Sequence, residues 1–449
     1  MNDFTKGSIW KHLIFFAWPM FIGSLFQQLY SITDSAIVGI YVGSNAFAAI
    51  GASTPIINIT TPVMIGLTNG ASILISQYYG SKRTEDIQQV VATSLYALGL
   101  AALCCAIAGV LLSPWILQLT STPLDIMANA TEYLRITFVG ILFMMVYNMY
   151  ASFMRALGDS KAPLAFLALS GILNIGLDLL FVLAFRLGVA GVAWATLISQ
   201  ALAALACMLY AKRKLPLIDV GRLAFDWNTF RKIMSYGIPN ALQISLTSWM
   251  GLSVQNVVNG LGTISIAGIT AANKVDSLVY MPITSLSNAA STMVAQNIGA
   301  ENEERAKQVL YKSLGIMAVL SIVMSAGVYL LRANLVGLFF SGDALDNIIV
   351  NDIGAGNLAI TSLFYSLFAL FYAFSGFYRG AGDAWFTMFL SMASLLVRML
   401  SAYYMVYSLH MEASAMAWSI VCGWSFTCVC ALAYYATGKW RGKAAKRKA

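Results

Sequence analysis

Gly66-Leu-Thr-Asn-Gly-Ala-Ser-Ile-Leu-Ile-Ser-Gln-Tyr-Tyr-Gly80 aligns without a gap against Ser285-Leu-Ser-Asn-Ala-Ala-Ser-Thr-Met-Val-Ala-Gln-Asn-Ile-Gly299. Asn69 falls on Asn288, Gln77 on Gln296 and Gly80 on Gly299 at one constant offset. Outside this stretch, Pro19 stands opposite Pro239 and Trp194 opposite Trp418. Arg155-Ala-Leu-Gly-Asp159 mirrors Arg379-Gly-Ala-Gly-Asp383. The two halves of the chain are duplicates.

What is duplicated is a membrane bundle. Of the 449 residues, 59% are apolar and only 10% charged, where a soluble globular protein carries roughly a quarter charged residues. The apolar runs are about 20–30 residues long, which suits membrane-spanning helices and not outer-membrane strands. Read against the polar loops, they predict twelve helices: near 10–41, 46–79, 87–112, 127–154, 161–185 and 188–211, then 228–260, 265–298, 304–331, 349–378, 384–408 and 412–437. The longest polar stretch, rich in Lys and Arg and containing Pro216, separates the halves. The expected organisation is an N-terminal six-helix lobe (1–211), a cytoplasmic linker (212–227), a C-terminal six-helix lobe (228–438) and a basic tail (439–449). Six helices per half is an even number, so both halves start on the same side. That predicts an all-α integral membrane protein with two parallel, pseudo-symmetric six-helix bundles around a central cleft. Such an arrangement is a transporter's rather than that of a pore ringed by identical subunits, and a monomer is expected.

The net charge of +8 does not point to nucleic acid, because its placement follows the membrane. Lys82, Arg83, Arg155, Lys161, Lys212, Arg213, Lys214, Arg231, Lys232, Arg305, Lys307, Lys312 and Arg379 occupy alternate loops, and the intervening loops carry Arg186 and Arg332. This is the positive-inside pattern, with both termini in the cytoplasm of a multi-pass cell-membrane protein. The apolar run from Trp10 to Val42 is too long for a secretory signal. Six cysteines lie in apolar segments, and His12 and His410 have no metal-ligand neighbours. No nucleophile–base pair, metal cluster or cofactor motif is present in the sequence, so no enzyme activity and no cofactor are expected.

The few interior charges carry the functional reading. Gly171-Ile-Leu-Asn-Ile-Gly-Leu-Asp-Leu-Leu-Phe-Val-Leu-Ala184 is an apolar helix holding Asn174 and Asp178 on one face. A carboxylate there costs several kcal/mol unless it is paired, protonated or wet. Counting 1.5 Å per residue puts Asp34, Asp178 and Thr196 each roughly 12 Å below the outer surface, with Asn174 one turn deeper. Two carboxylates so placed cannot easily both be charged, so at least one should hold a proton or share a cation. Carboxylate, amide and hydroxyl oxygens are what Na⁺ prefers. The bland alternative is a hydrogen-bonded cluster that only joins helices. Against it, the duplicate of 178 is Ala402, that of 174 is Arg398, that of 196 is Ile420, and Asp34 maps near Val254. The fold does not need the acidic cluster.

In the C-terminal half Asp276, Lys274 and Arg398 lie deep, at roughly 18 Å. A structural ion pair between Asp276 and Arg398 is expected, with a part in substrate or proton binding as the alternative. Pro19 removes a backbone bond from the first helix and marks it as a bent or moving part. Gln27, Tyr30 and Asn148 are candidates to line the cleft. The aromatic and methionine-rich runs Phe143–Tyr150 and Phe364–Tyr372 suit either flat organic cations or ordinary packing.

Several of these features together resemble one family over essentially the whole chain. Twelve helices in two parallel halves, Gly188-Val-Ala-Gly-Val-Ala-Trp-Ala-Thr196, the two Arg-x-x-Gly-Asp motifs, Trp18-Pro19 and Asp34-Ser-Ala-Ile-Val-Gly39 look like the multidrug and toxic compound extrusion transporters. The resemblance implies secondary active efflux of organic, mostly cationic and often aromatic compounds in exchange for H⁺ or Na⁺. It matches Asp34, Asn174, Asp178 and Thr196 to the N-lobe cation or proton site of the bacterial and archaeal branch related to the DNA-damage-inducible members. Pro19 matches the first-helix proline that bends in that branch. Other branches carry an acidic residue on the seventh helix, where this chain has Val254-Gln-Asn256. Two rivals stand beside this reading. A lipid-linked oligosaccharide flippase of the wider superfamily would have an arginine-rich cavity, and an ion channel would not show fixed exchange stoichiometry.

Overall fold

The apolar runs become helices with few exceptions. The computed structural model describes residues 2–218, 224–340 and 345–441, so part of the predicted linker and the tail beyond Arg441 lie outside the described residues. The helices are α1 (Ile9–Ile37), α2 (Ser44–Gly80), α3 (Thr84–Leu119), α4 (Leu124–Ala156), α5 (Lys161–Leu179), α6 (Gly188–Lys214) and α7 (Trp227–Asn259). They continue with α8 (Thr263–Gly299), α9 (Glu303–Gly337), α10 (Leu345–Leu363), α11 (Tyr365–Gly380), α12 (Ala384–Tyr407) and α13 (Ser414–Thr437). Helices α1 and α5 run on through one wider turn each, at Val38–Val42 and Leu180–Ala184.

Counting α10 and α11 as one span gives the expected twelve. Where the sequence predicts an unbroken helix over 349–378, the chain bends by 52° between the two segments. Among the described residues, nine helices are long and apolar enough to cross a membrane, or ten with the bent pair. Helix α8 has the length, but Asn273, Lys274, Asp276 and Ser277 interrupt its apolar run.

Two compact units emerge, and their borders cut through helices. The first comprises Met1–Asp3 and Trp18–Ala241, the second Phe4–Ala17 and Leu242–Ala449. The lobes read from the sequence, 1–211 and 228–438, therefore differ from the compact units at both borders. The first unit includes the start of α7, and the second includes the start of α1. Both changeovers fall beside the opposed prolines, Pro19 and Pro239.

The repeated glutamines hold these segments. In the first unit the Tyr236 hydroxyl donates to Gln77 Oε1 at 3.4 Å. Here α7 meets α2 backbone to backbone: a Cβ on Gly70 would stand 2.4 Å from the Gly237 nitrogen. Small residues allow such approach where lipid supplies no hydrophobic drive between helices. In the second unit Phe4 is fully buried, and its N–H donates to Gln296 Oε1 at 3.1 Å. Asn297 Nδ2 and Arg305 Nε donate to the Phe4 carbonyl.

The Arg-x-x-Gly-Asp motifs also find a structural role. Gly158 and Gly382 adopt φ of 83° and 94°, a region costly for residues with a Cβ. The following aspartates cap the next helix: Asp159 Oδ1 accepts from the N–H of Lys161 and of Ala162, and Asp383 Oδ1 from Phe386 N–H. Their other oxygens accept from the hydroxyls of Tyr210 and Tyr434, which are themselves duplicates. Each motif thus turns the chain and ties α5 to α6, or α12 to α13.

Candidate functional site: an acidic cluster in the first unit

Three helices of the first unit contribute. Helix α1 brings Asp34, α5 brings Asn174 and Asp178 one turn apart, and α6 brings Thr196. Asp178 is 0% exposed and Asn174 2%. Asn174 Nδ2 donates to Thr196 Oγ1 at 3.3 Å. The Asp34 and Asp178 side chains approach within reach of a single shared hydrogen bond. The structure brings together all four residues that the sequence singles out.

What these groups lack defines the site. Asp34 Oδ1, Asn174 Oδ1 and both Asp178 carboxylate oxygens are buried without a hydrogen-bond partner. A buried unpaired carboxylate is among the most expensive arrangements a protein can hold, and no described Lys or Arg pairs with either one. Acceptor oxygens without donors are chemically suited to a proton or a hard monovalent cation. The apolar cluster of Ile37, Val38, Val182, Val189 and Val192 lies close by along the same segments of chain, while Asp34 itself is half-buried.

Tyrosines complete the surroundings. Tyr30, on the same face of α1 as Asp34, is near that carboxylate and bonded to Gln27. Tyr133 of α4 faces both carboxylates, a neighbour that sequence reading misses. A tyrosine near a helix end reads as a membrane-interface aromatic, and nothing in its spacing marks it otherwise. Asn148 is satisfied within its own helix, donating to the Met144 carbonyl at 2.9 Å. Pro19 is buried inside α1 at the start of the first unit's share of that helix.

The second unit fills the duplicate place differently. Val254 and Ala402 pack in one apolar cluster, and Ile420 is buried beside 8% exposure. The expected ion pair between Asp276 and Arg398 is not formed. Asp276 Oδ1 instead accepts from the hydroxyls of Thr361 and Tyr365, with Tyr280 as a further donor. The hydroxyls satisfy the carboxylate directly, and the Arg398 guanidinium stays out of contact with it. Thr361 and Tyr365 flank the break at Phe364, so both donors reach one oxygen from either side of the bend. Lys274 is exposed and takes no part.

The comparisons with known proteins agree with this architecture. The MatE family model matches twice, over residues 19–180 and 239–404, starting at each of the two opposed prolines. The probable multidrug resistance protein YpnP of Bacillus subtilis is 30% identical over 441 residues, covering 98% of this chain and 97% of that protein. The multidrug export protein MepA of Staphylococcus aureus is 26% identical over 351 residues, 76% of each chain. Among solved structures, an outward-facing multidrug resistance transporter of this family superposes with a TM-score of 0.89 at 21% identity, over 99% of this chain and 98% of that one. A superfamily transporter from Pyrococcus furiosus gives a TM-score of 0.90 at 20% identity, over 98% of both chains. A family match to both halves of a duplicated twelve-helix membrane protein, with a full-length relative, leaves one assignment: the chain belongs to the MatE family of multidrug and toxic compound extrusion transporters.

Proposed function

We propose that the chain is a secondary active antiporter of the cell membrane, working as a monomer with both termini in the cytoplasm. It exports organic, mostly cationic compounds in exchange for H⁺ or Na⁺ taken up at Asp34, Asn174, Asp178 and Thr196. The observation that carries this reading is the set of four buried, partnerless oxygens in one half of a duplicated fold whose other half has Val254 and Ala402 at the places of the two carboxylates. The names of the relatives, multidrug export and resistance proteins, support the substrate class.

The chemistry follows from charge. Without a cation, two closely placed carboxylates repel. A proton or Na⁺ between them removes the repulsion and draws Asp34, hence α1, towards α5. Helix α1 yields most readily at Pro19, where a backbone bond is missing. Entry of one positive charge draws about 2.3 kcal/mol from each 100 mV of membrane potential; export of a monovalent cation costs the same, so in a one-for-one exchange the H⁺ or Na⁺ concentration gradient supplies the drive.

Efflux of a fluorescent organic cation from proteoliposomes tests this, with a pH gradient and a Na⁺ gradient imposed separately. One of the two gradients drives efflux in the wild type, and Asp178→Asn abolishes the gradient dependence in folded protein. Unchanged gradient-driven rates in Asp178→Asn would remove the proposal.

A further inference from the structure

In the second unit, Arg398 stands at the place of Asn174, one turn along α12 from Ala402 at the place of Asp178. Its Nε is buried with no partner. Helix α13 closes over the side-chain stem, since a Cβ added to Gly423 would stand 3.5 Å from Arg398 Cβ. A guanidinium does not lose its proton in a protein, so a fixed positive charge sits where the first unit has a neutral amide.

The carboxylate that answers it is Asp276 on α8, 2% exposed. The polar and charged groups facing Asp276 are Tyr280 of its own helix, Thr361 of α10, Tyr365 of α11 and Arg398 of α12. Tyr280 faces Arg398 as well. The two duplicate sites are therefore complementary. Asp34 and Asp178 have no described Lys or Arg paired to them and four oxygens of the cluster lack partners. Asp276 has hydroxyl donors around it and Arg398 of the same chain facing it.

We propose that Arg398 is a tethered cation. It supplies permanently to the second unit the charge that the first unit takes from solution, so the second unit binds no exchangeable cation and each chain loads a single coupling ion. The inference rests on the assignment of the coupling site to Asp34 and Asp178. It goes further by fixing the ion count and giving Arg398 a positioning role towards Asp276. The broken span belongs to the same arrangement. Thr361 and Tyr365 turn to a carboxylate whose duplicate position is Ile57, and α4, the duplicate of the bent pair, is continuous.

The test is equilibrium binding of radioactive Na⁺, and proton release into dye-containing weak buffer, on purified full-length protein in nanodiscs. The expected counts are one cation for the wild type, none for Asp178→Asn, and one for Asp276→Asn. Two cations in the wild type with one left in Asp178→Asn would overturn the role of Arg398 while leaving the first site standing. Equal counts in wild type and Asp178→Asn would overturn both assignments. These proteins all retain Arg398, so the count does not depend on a variant of that residue folding. Where Asp178→Asn/Arg398→Asn folds, it should gain a cation that adding Asp276→Asn removes, and Asp178→Asn/Arg398→Lys should gain none. A purely structural arginine would change stability in these variants without changing the count.

Discussion

Asn174 on α5 gives its amide hydrogen to Thr196 Oγ1 on α6 at 3.3 Å and keeps its own carbonyl oxygen without a partner. The bond fixes which way the amide faces. With Nδ2 committed to Thr196, Oδ1 is the atom left for the proposed cation site, and threonine is the residue that orients it.

Thr196→Val should accordingly weaken cation binding without unfolding the protein. The loss of one bond that orients a ligand is worth about 1 kcal/mol, or several-fold in affinity. The half-saturating H⁺ or Na⁺ concentration for efflux should rise by that factor, while Thr196→Ser stays near wild type. An unchanged cation dependence in Thr196→Val would assign the bond to packing alone.

The crossing of α2 and α7 gives a prediction about folding. A side chain at Gly70 would enter the backbone of Gly237, with the Ile233 carbonyl 2.8 Å from the new Cβ. Backbone cannot swing aside, so Gly70→Leu should exceed the usual overpacking cost of about 1–3 kcal/mol and reduce monodisperse protein on size exclusion. Gly99→Leu is the control, because a Cβ at Gly99 meets nothing within 4 Å.

How much of this was legible in the sequence depends on the kind of signal. Membrane helices, the duplication and the level of Asp34, Asp178 and Thr196 follow from run length, offset and rise per residue. These are local or one-dimensional facts. The meaning of Gln77 and Gln296 was not legible, because it requires knowing that each unit holds the start of the other half's first helix. Asp276 shows the limit most clearly. Depth alone puts it level with Arg398, and pairing two buried charges is the economical guess. The structure satisfies it with hydroxyls brought in by a bend at Phe364, and no proline or glycine in the sequence announces that bend. Tyr133 was missed for a similar reason: its approach to the carboxylates depends on how α4 packs.

Outside the membrane, Asp226 links the end of the linker to α7. Its carboxylate is held below the ordinary range first by the Thr229 hydroxyl, then by the Thr229 backbone N–H, which reaches Oδ2 at 2.6 Å. Its own N–H donates to Thr93 Oγ1 of α3 at 3.3 Å. A carboxyl with a lowered folded pKa contributes stability above its unfolded pKa of about 3.9 and loses it as pH falls through the folded value. Asp226→Ala should cost towards the low end of the ~0.5–2 kcal/mol typical of a helix cap, since the group is solvated. Thermal unfolding of the variant and the wild type should differ at pH 7 and converge at acid pH. A difference independent of pH would assign the effect to the backbone rather than the charge.

The hydroxyl of Tyr365 offers the sharpest separation of stability from coupling. It is fully buried and donates to a carboxylate that is itself buried, so Tyr365→Phe leaves Asp276 with Thr361 on Oδ1 at 3.3 Å and with Tyr280 beside it. Loss of a hydrogen bond to a charged group costs about 1.5–3 kcal/mol, and the cost should fall on the second unit. Thermal unfolding in detergent should therefore begin earlier than in the wild type. The coupling ratio, as cations moved per substrate exported, should stay the same if the exchanging site is the one proposed at Asp34 and Asp178 in the first unit. The opposite pattern, normal unfolding with an altered ratio, would move part of the coupling to Asp276. The two readouts come from different units, so a single variant decides between a carboxylate that holds a bent helix and one that carries an ion.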